Sequence, residues 1–387
     1  MRRTARALSS AVVLVAICGC RGRVPQPADG CAPTQCGDAG DDDNEVANVG
    51  VPDLDVVVGE DELNRALPSN VVLFIGDGMG AEQQRATRMF KNGDAAPLTF
   101  EAFPHAGCVH TANASGGVTD SAAAATAMAT GHKVDNHVIS QRTPGDGREL
   151  PTVVEIAHAR GKSTGLVTTA TPLTDATPAA FGAHASTRYD DASIANGYLQ
   201  RSRPAVLMGG PSASMTAGAA ADAGYATASS SDELDAIGAA AAAPLCGIFD
   251  GAEPSLAERT RAALEELLAD EDGFFLLVEH EGTDNGGHAN DLAMIIDAVL
   301  ALEAAVDTAL ALTDAADTLI IVTADHETGS LTVHDASPEA GAVPEHSFGT
   351  TGHSGADVPI FATGPGAEAV GGCFQNTRIF SLLTATR

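Results

Sequence analysis

Acids and histidines recur where short apolar runs stop. Asp77 follows Asn70-Val-Val-Leu-Phe-Ile-Gly76, Glu279 ends the run Phe274 to Val278, and Asp325 and His326 follow Thr318 to Ala324. Any one of them could be a turn or helix-capping group, but three runs ending alike point beyond capping. Asp284 and His288 stand four apart, which puts both side chains on one helix face as a workable pair of zinc ligands. His353 sits in Thr351-Gly-His-Ser-Gly355, a Gly-rich stretch with no apolar face to serve. Asp, Glu and His without Cys suit zinc or magnesium rather than an iron-sulfur or copper centre.

Two further segments carry groups suited to anions. Gly116-Gly-Val-Thr-Asp-Ser-Ala-Ala-Ala-Ala-Thr126 puts Ser121 at the head of an Ala-rich helix, where free N–H groups and the positive end of the dipole favour negative charge. Thr119, Asp120 and Ser121 are equally good N-cap residues, so this segment alone reads as a cap. Downstream, Asp175 and Thr177 supply an acid and a hydroxyl two apart, followed by Arg188, whose planar fork can grip two phosphate oxygens.

Such scattered groups need a frame that brings them to one edge. From about residue 67, apolar runs alternate with helical patterns. Strands are expected over residues 70–76, 163–169, 204–209, 273–279, 318–324 and 358–363. A helix is expected over 288–312, with Leu292, Ile295, Ile296, Val299, Leu302 and Val306 spaced three and four apart. The alternation implies an α/β three-layer sandwich with a mostly parallel central sheet and helices on both faces, its ligands at the carboxyl ends of the strands. No repeat and no second boundary are visible, so residues 67–387 read as one domain.

Composition narrows the partners. An apolar fraction of 44% over 387 residues, with mean hydropathy +0.04, describes a globular protein. With 21 Lys and Arg against 51 Asp and Glu, the net charge of −30 repels polyanions, so nucleic acid is not a specific partner. Aromatics are 4% and Trp is absent, which leaves few platforms for stacking bases or sugars. Residues 1–19 read as an export signal, with Arg2, Arg3 and Arg6 before the apolar stretch Leu8 to Ile17. The sequence Ile17-Cys18-Gly19-Cys20 matches a bacterial lipobox, so lipid anchoring at Cys20 is expected, in the periplasm or at the cell surface. Residues 20–66 form an acidic tether in which Cys31 and Cys36 are expected to close a small disulfide loop. Cys108, Cys246 and Cys373 are odd in number and far apart; no pairing among them is legible, and one can be free and buried.

Taken together, the blocks IGDGMG, VTDSAAAATA, DATPAAFGAHASTR, FFLLVEHEGTDNGGHAND, TLIIVTADHE and TGHSG resemble alkaline phosphatases, collinearly from about Asn70 to Gly366. The resemblance implies hydrolysis of small phosphate monoesters with broad specificity, using two zinc ions and one magnesium ion. It makes Ser121 the nucleophile that becomes phosphorylated and Arg188 the phosphate clamp, oriented by Asp120. Asp284, His288 and His353 resemble the ligands of the first zinc; Asp77, Asp325 and His326 those of the second. Asp77, Thr177 and Glu279 would hold magnesium, with Asp175 behind them. Homodimer formation stays open.

The chain also departs from the family pattern. Asn285 stands where members carry Lys, His or Trp, so a charge near phosphate is lost. His280 and Glu281 replace small residues, and Glu281 is expected to face solvent. The short span from Asp325 to His353 leaves little room for the crown-like insertion of larger members. A sulfatase reading fails because Cys31-Ala-Pro-Thr-Gln35 lacks the Arg of that motif and precedes the first metal acid. A phosphodiesterase would more often carry Thr and lack the clamp, and a non-catalytic binding protein would not need Ser121.

Overall fold

The apolar run from Val71 to Ile75 becomes a strand buried on both faces, as a central strand of a parallel sheet must be. The computed structural model describes residues 67–93, 95–237, 243–251, 254–334 and 339–387; the export segment, the tether and the Cys31 and Cys36 pair lie outside the described residues. The strands are β1 (Asn70–Gly76), β2 (His105–His110), β3 (Ser163–Pro172), β4 (Val206–Gly210), β5 (Ala226–Ala228), β6 (Leu245–Ile248), β7 (Phe274–His280), β8 (Thr318–Thr323), β9 (Glu327–Thr328), β10 (Leu331–Val333), β11 (His346–Phe348), β12 (His353–Ser354), β13 (Val358–Thr363) and β14 (Gly372–Gln375). Ten of them form one sheet in the order β14-β2-β13-β8-β1-β7-β3-β4-β6-β5. Only β13 runs against its neighbours, β8 and β2; the remaining pairs are parallel.

Helices cover the sheet in two groups. Ala81–Asn92, Leu256–Leu267 and Leu292–Leu312 pack together, and Ser121–Thr130, Val153–Ala159, Ala176–Gly182 and Thr377–Thr384 form the other layer. The helix Ser121–Thr130 is nearly all Ala and Thr and is buried throughout, which its small side chains permit.

The helix expected over 288–312 is in fact two. Gly282–Ala289 ends at Asn290, in the left-handed region at φ 55°, and Leu292–Leu312 restarts after Asp291, whose side chain accepts from the N–H groups of Ala293 and Met294. Asn tolerates that backbone and Asp is a strong N-cap, so the long helix starts where its apolar period starts, at Leu292. At the far edge, Cys108 of β2 and Cys373 of β14 are disulfide-bonded opposite each other, and among the described residues Cys246 is free and buried.

Register explains how the site assembles. Ile75 of β1 pairs with Glu279 on one side and with Thr323 on the other. Asp77, two residues on, therefore stands level with Asp325, where the central parallel strands all end.

Candidate active site

Every acid and histidine singled out from the sequence at these strand ends arrives at one place. His326 Nε2 lies 3.2 Å from Asp325 Oδ2, 3.5 Å from Asp77 Oδ1 and 3.3 Å from Ser121 Oγ. Beside it, His288 Nε2 lies 3.2 Å from Asp284 Oδ2, while His353 Nε2 lies 3.5 Å from Asp284 Oδ1 and 3.3 Å from His288 Nε2. The rings of His326 and His353 stack at 3.7 Å between centroids. Glu279, next to the last residue of β7, accepts from Thr168 Oγ1 at 2.6 Å and has Thr177 nearby on the helix Ala176–Gly182.

Backbone carbonyls set the tautomers. His353 Nδ1 donates to the Thr119 carbonyl at 3.0 Å and His288 Nδ1 to the Thr351 carbonyl at 2.6 Å. The two Nε2 atoms, the nitrogens left to bind a metal, face each other across 3.3 Å. Thr328 Oγ1 donates to Asp284 and accepts from His326 Nδ1, so the third ring is turned the same way.

Hydrogen bonds reach only some oxygens of these acids: Asp325 Oδ1 accepts from the N–H groups of Gly78 and His326, and Glu279 accepts from Thr168. Asp77, Glu279 and Asp325 are 1%, 0% and 0% exposed. Asp77 Oδ1, Glu279 Oε1, Asp325 Oδ2 and Thr177 Oγ1 are buried with no hydrogen-bond partner among the described residues. Burial first, then the Asp325 charge, raises the Asp77 pKa well above the carboxylate range, and burial pushes Glu279 up to about 8. Burial and the neighbouring His353 hold His326 down to about 3, so its imidazole is neutral. Neutral imidazole lone pairs and bare carboxylate oxygens, facing inward without donors, fit divalent cations. Two groups of oxygen and nitrogen donors lie within 4.8 Å of one another: Asp77, Asp325 and His326, and Asp284, His326 and His353.

The anion-binding side is built on the helix Ser121–Thr130. Asp120 caps it, accepting from Ala123 N–H at 3.0 Å, and leaves Ser121 at the first turn. Arg188 Nη2 binds Asp175 Oδ1 at 2.7 Å, and its Nη1 lies 3.5 Å from Asp120 Oδ2. Burial opposes the guanidinium charge, but Asp175 and then Asp120 outweigh it, so the Arg188 pKa is raised.

Three residues were missed or misread from the sequence. His137 contacts Asp120 Oδ2 through both its backbone N–H and Nδ1 at 3.0 Å, and its carbonyl accepts from Arg188 N–H. Thr328 joins two of the histidine and acid groups. Glu281, expected in solvent, instead brings a carboxylate oxygen within 4.8 Å of those of Asp77 and Glu279. The Glu279-His-Glu281 alternation was the available signal, because residues two apart along a strand share a face. Asn285 is exposed at its helix.

The sequence profile of the alkaline phosphatase family matches residues 68–242 and 249–344, well over half of the chain. This chain belongs to the alkaline phosphatase family. Alkaline phosphatase 3 of Bacillus subtilis (strain 168) is 33% identical over 289 residues, 68% of this chain, which spans 62% of that relative's length. Streptomycin-6-phosphate phosphatase of Streptomyces griseus is 32% identical over 407 residues, covering 82% of this chain and 90% of the relative. Among solved structures, the alkaline phosphatase from the Antarctic bacterium TAB5 superposes with a TM-score of 0.71 at 30% identity, over 82% of this chain and 97% of that one. A variant of the TAB5 enzyme has been solved with magnesium in its third metal site. The acids and histidines gathered at the sheet edge include groups able to hold a metal ion.

Proposed function

We propose that this family member hydrolyses phosphate monoesters to inorganic phosphate and alcohol through a phosphoserine on Ser121, with two zinc ions and one magnesium ion as cofactors. The observation that carries the reading is Ser121 Oγ, at a helix N-terminus, 3.3 Å from His326 Nε2 within a cluster of unpartnered acids. Asp284, His288 and His353 would hold one zinc, Asp77, Asp325 and His326 the other. Asp77, Thr177 and Glu279 would hold magnesium, with Asp175 behind them. Bound there, the cations supply the positive charge that makes a serine or water oxygen nucleophilic near neutral pH.

The chain's own residues do the positioning. Ser121 Oγ forms a bond to phosphorus as the ester oxygen leaves; water then takes the phosphoryl group, and the Ser121 oxygen is released. Arg188 grips equatorial oxygens that carry negative charge throughout, and Asp120 holds both the helix start and the guanidinium. An open cavity of about 420 Å³, lined by Thr174, Asp175, Arg188, Tyr189, Asp191 and Ser212, adjoins the clamp. Because Arg188 and the cations would grip the phosphoryl group alone, the leaving alcohol is scarcely read, which supports broad monoester specificity. Arg188 disfavours a diester substrate, whose second ester group would fill its place.

The same reading takes residues 67–387 as the catalytic domain of a protein exported to the periplasm or cell surface and anchored by lipid at Cys20. No helix among the described residues is long and apolar enough to cross a membrane.

The test is acid quenching after mixing with a labelled monoester. Labelled phosphoserine should map to Ser121 and vanish in Ser121→Ala while zinc content stays near normal. A full burst of labelling in that variant overturns the assignment.

A further inference from the structure

Strand parity returns Glu281 to the site. β7 runs to His280, and Glu281, two residues past Glu279, keeps the same side of the sheet. Because Ile75 pairs with Glu279, Asp77 stands level with Glu281, and the Asp77 N–H continues the ladder by donating to the His280 carbonyl at 3.1 Å. The intervening His280 turns away, its Nδ1 accepting from Gly282 N–H at 3.0 Å. The result is three carboxylates, from Asp77, Glu279 and Glu281, with one oxygen of each within 4.8 Å of the others.

A structural reason for this acid is missing. Glu281 stands at the N-cap of the helix Gly282–Ala289 but makes no side-chain capping hydrogen bond. Independently, Asp77 Oδ1 and Glu279 Oε1, on residues 1% and 0% exposed, have no hydrogen-bond partner and belong to this trio. Bare oxygens this close repel unless a cation lies among them.

We propose that Glu281 is a further carboxylate ligand of the magnesium-side cation, beside Asp77 and Glu279, in addition to the ligands that the family resemblance carries. The inference rests on the metal reading above. Magnesium is usually held by one or two carboxylates with several waters, so a third should replace water and retain the ion at lower free concentration.

The experiment uses full-length protein stripped by chelation, reloaded with zinc, and titrated with magnesium alone by calorimetry. Glu281→Gln removes the charge at nearly constant size, and Glu279→Gln serves as reference. Wild type should take up one magnesium per chain. Glu281→Gln should bind it about 10-fold or more weakly with zinc content unchanged. Manganese in the same site should give a different electron paramagnetic resonance spectrum in the variant. Equal magnesium affinity and an identical manganese spectrum in Glu281→Gln overturn the Glu281 assignment while leaving the metal site standing. A wild-type protein that takes up no magnesium removes the site itself. Should Glu281→Ala fail to fold, the near-isosteric Gln variant still decides.

Discussion

The acids at the ends of β1, β7 and β8 and the acids of the segment from Glu149 to Arg201 meet their surroundings in opposite ways. In the second region Glu149 accepts from both terminal nitrogens of Arg201, at 2.7 and 2.6 Å. Glu155 closes a capping box with Thr152 and binds His184 Nε2 at 3.0 Å. Burial works against the Glu155 charge, yet His184 and the Thr152 N–H outweigh it, so its pKa is lowered. At the strand ends Thr168 donates to Glu279 and two backbone N–H groups to Asp325, but burial prevails, and Asp77 and Glu279 are pushed up. An acid that serves the fold finds its counter-charge within the chain; an acid that serves a ligand waits for one, and the fold bears the repulsion.

That contrast breaks most decisively at Asp77. Asp77→Asn should lower monoester turnover by on the order of 10³-fold or more, because Asp77 is shared by two proposed cation sites. The chelated variant should nevertheless melt at or above the temperature of chelated wild type, since a repelling charge has gone. Calorimetry after dialysis against chelator measures this, and a clear drop in the melting temperature would mean that Asp77 serves the fold.

Arg188 stands between the two regimes, paired with Asp175 and Asp120 and yet facing an open cavity. Arg188→Ala should cost monoesters about 10²-fold in kcat/KM, equivalent to one or two charge-assisted hydrogen bonds, and diesters less. Equal losses for both esters would make Arg188 a structural residue.

The smallest effect belongs to the paired region. Glu155→Gln should cost about 1 kcal/mol of stability and leave turnover within about two-fold. Its pH dependence has a defined sign. His184, raised from 6.5, contributes fully below that value and loses its contribution as pH rises through its folded pKa. Glu155, lowered from 4.5, contributes above that value and loses its contribution as pH falls through its folded pKa. The gap between wild type and Glu155→Gln in urea melts should therefore be wider at pH 6 than at pH 9; a gap that does not change would remove His184 from the account.

The same contrast explains what could be read in advance. Runs such as Val71 to Ile75 and Leu319 to Val322 are buried on both faces, so their apolar patterns are continuous and the acids after them stand out. The edge strands β5 and β14 are short, β2 beside β14 mixes small and polar residues, and β6 is only four residues long, so none was legible. The expected helix started at His288, before its apolar spacing began at Leu292, and so ran across the cap that Asn290 and Asp291 form. Glu281 was misread because its place depends on strand parity at the end of β7 and on Asp77, some two hundred residues away. His137 showed no signal, because its contacts with Asp120 and Arg188 involve its own backbone.

The bond between Cys108 and Cys373 closes a covalent ring across a separation of 265 residues, and of the candidate site residues only Asp77 lies outside it. A protease that nicks an exposed turn within that ring therefore severs the backbone without releasing either piece. Both pieces stay joined through that bond, so the segments proposed to bind metal and phosphate remain in one molecule. Damage of that kind would show on a denaturing gel only after a reductant is added, and the cut protein would keep its site assembled until then.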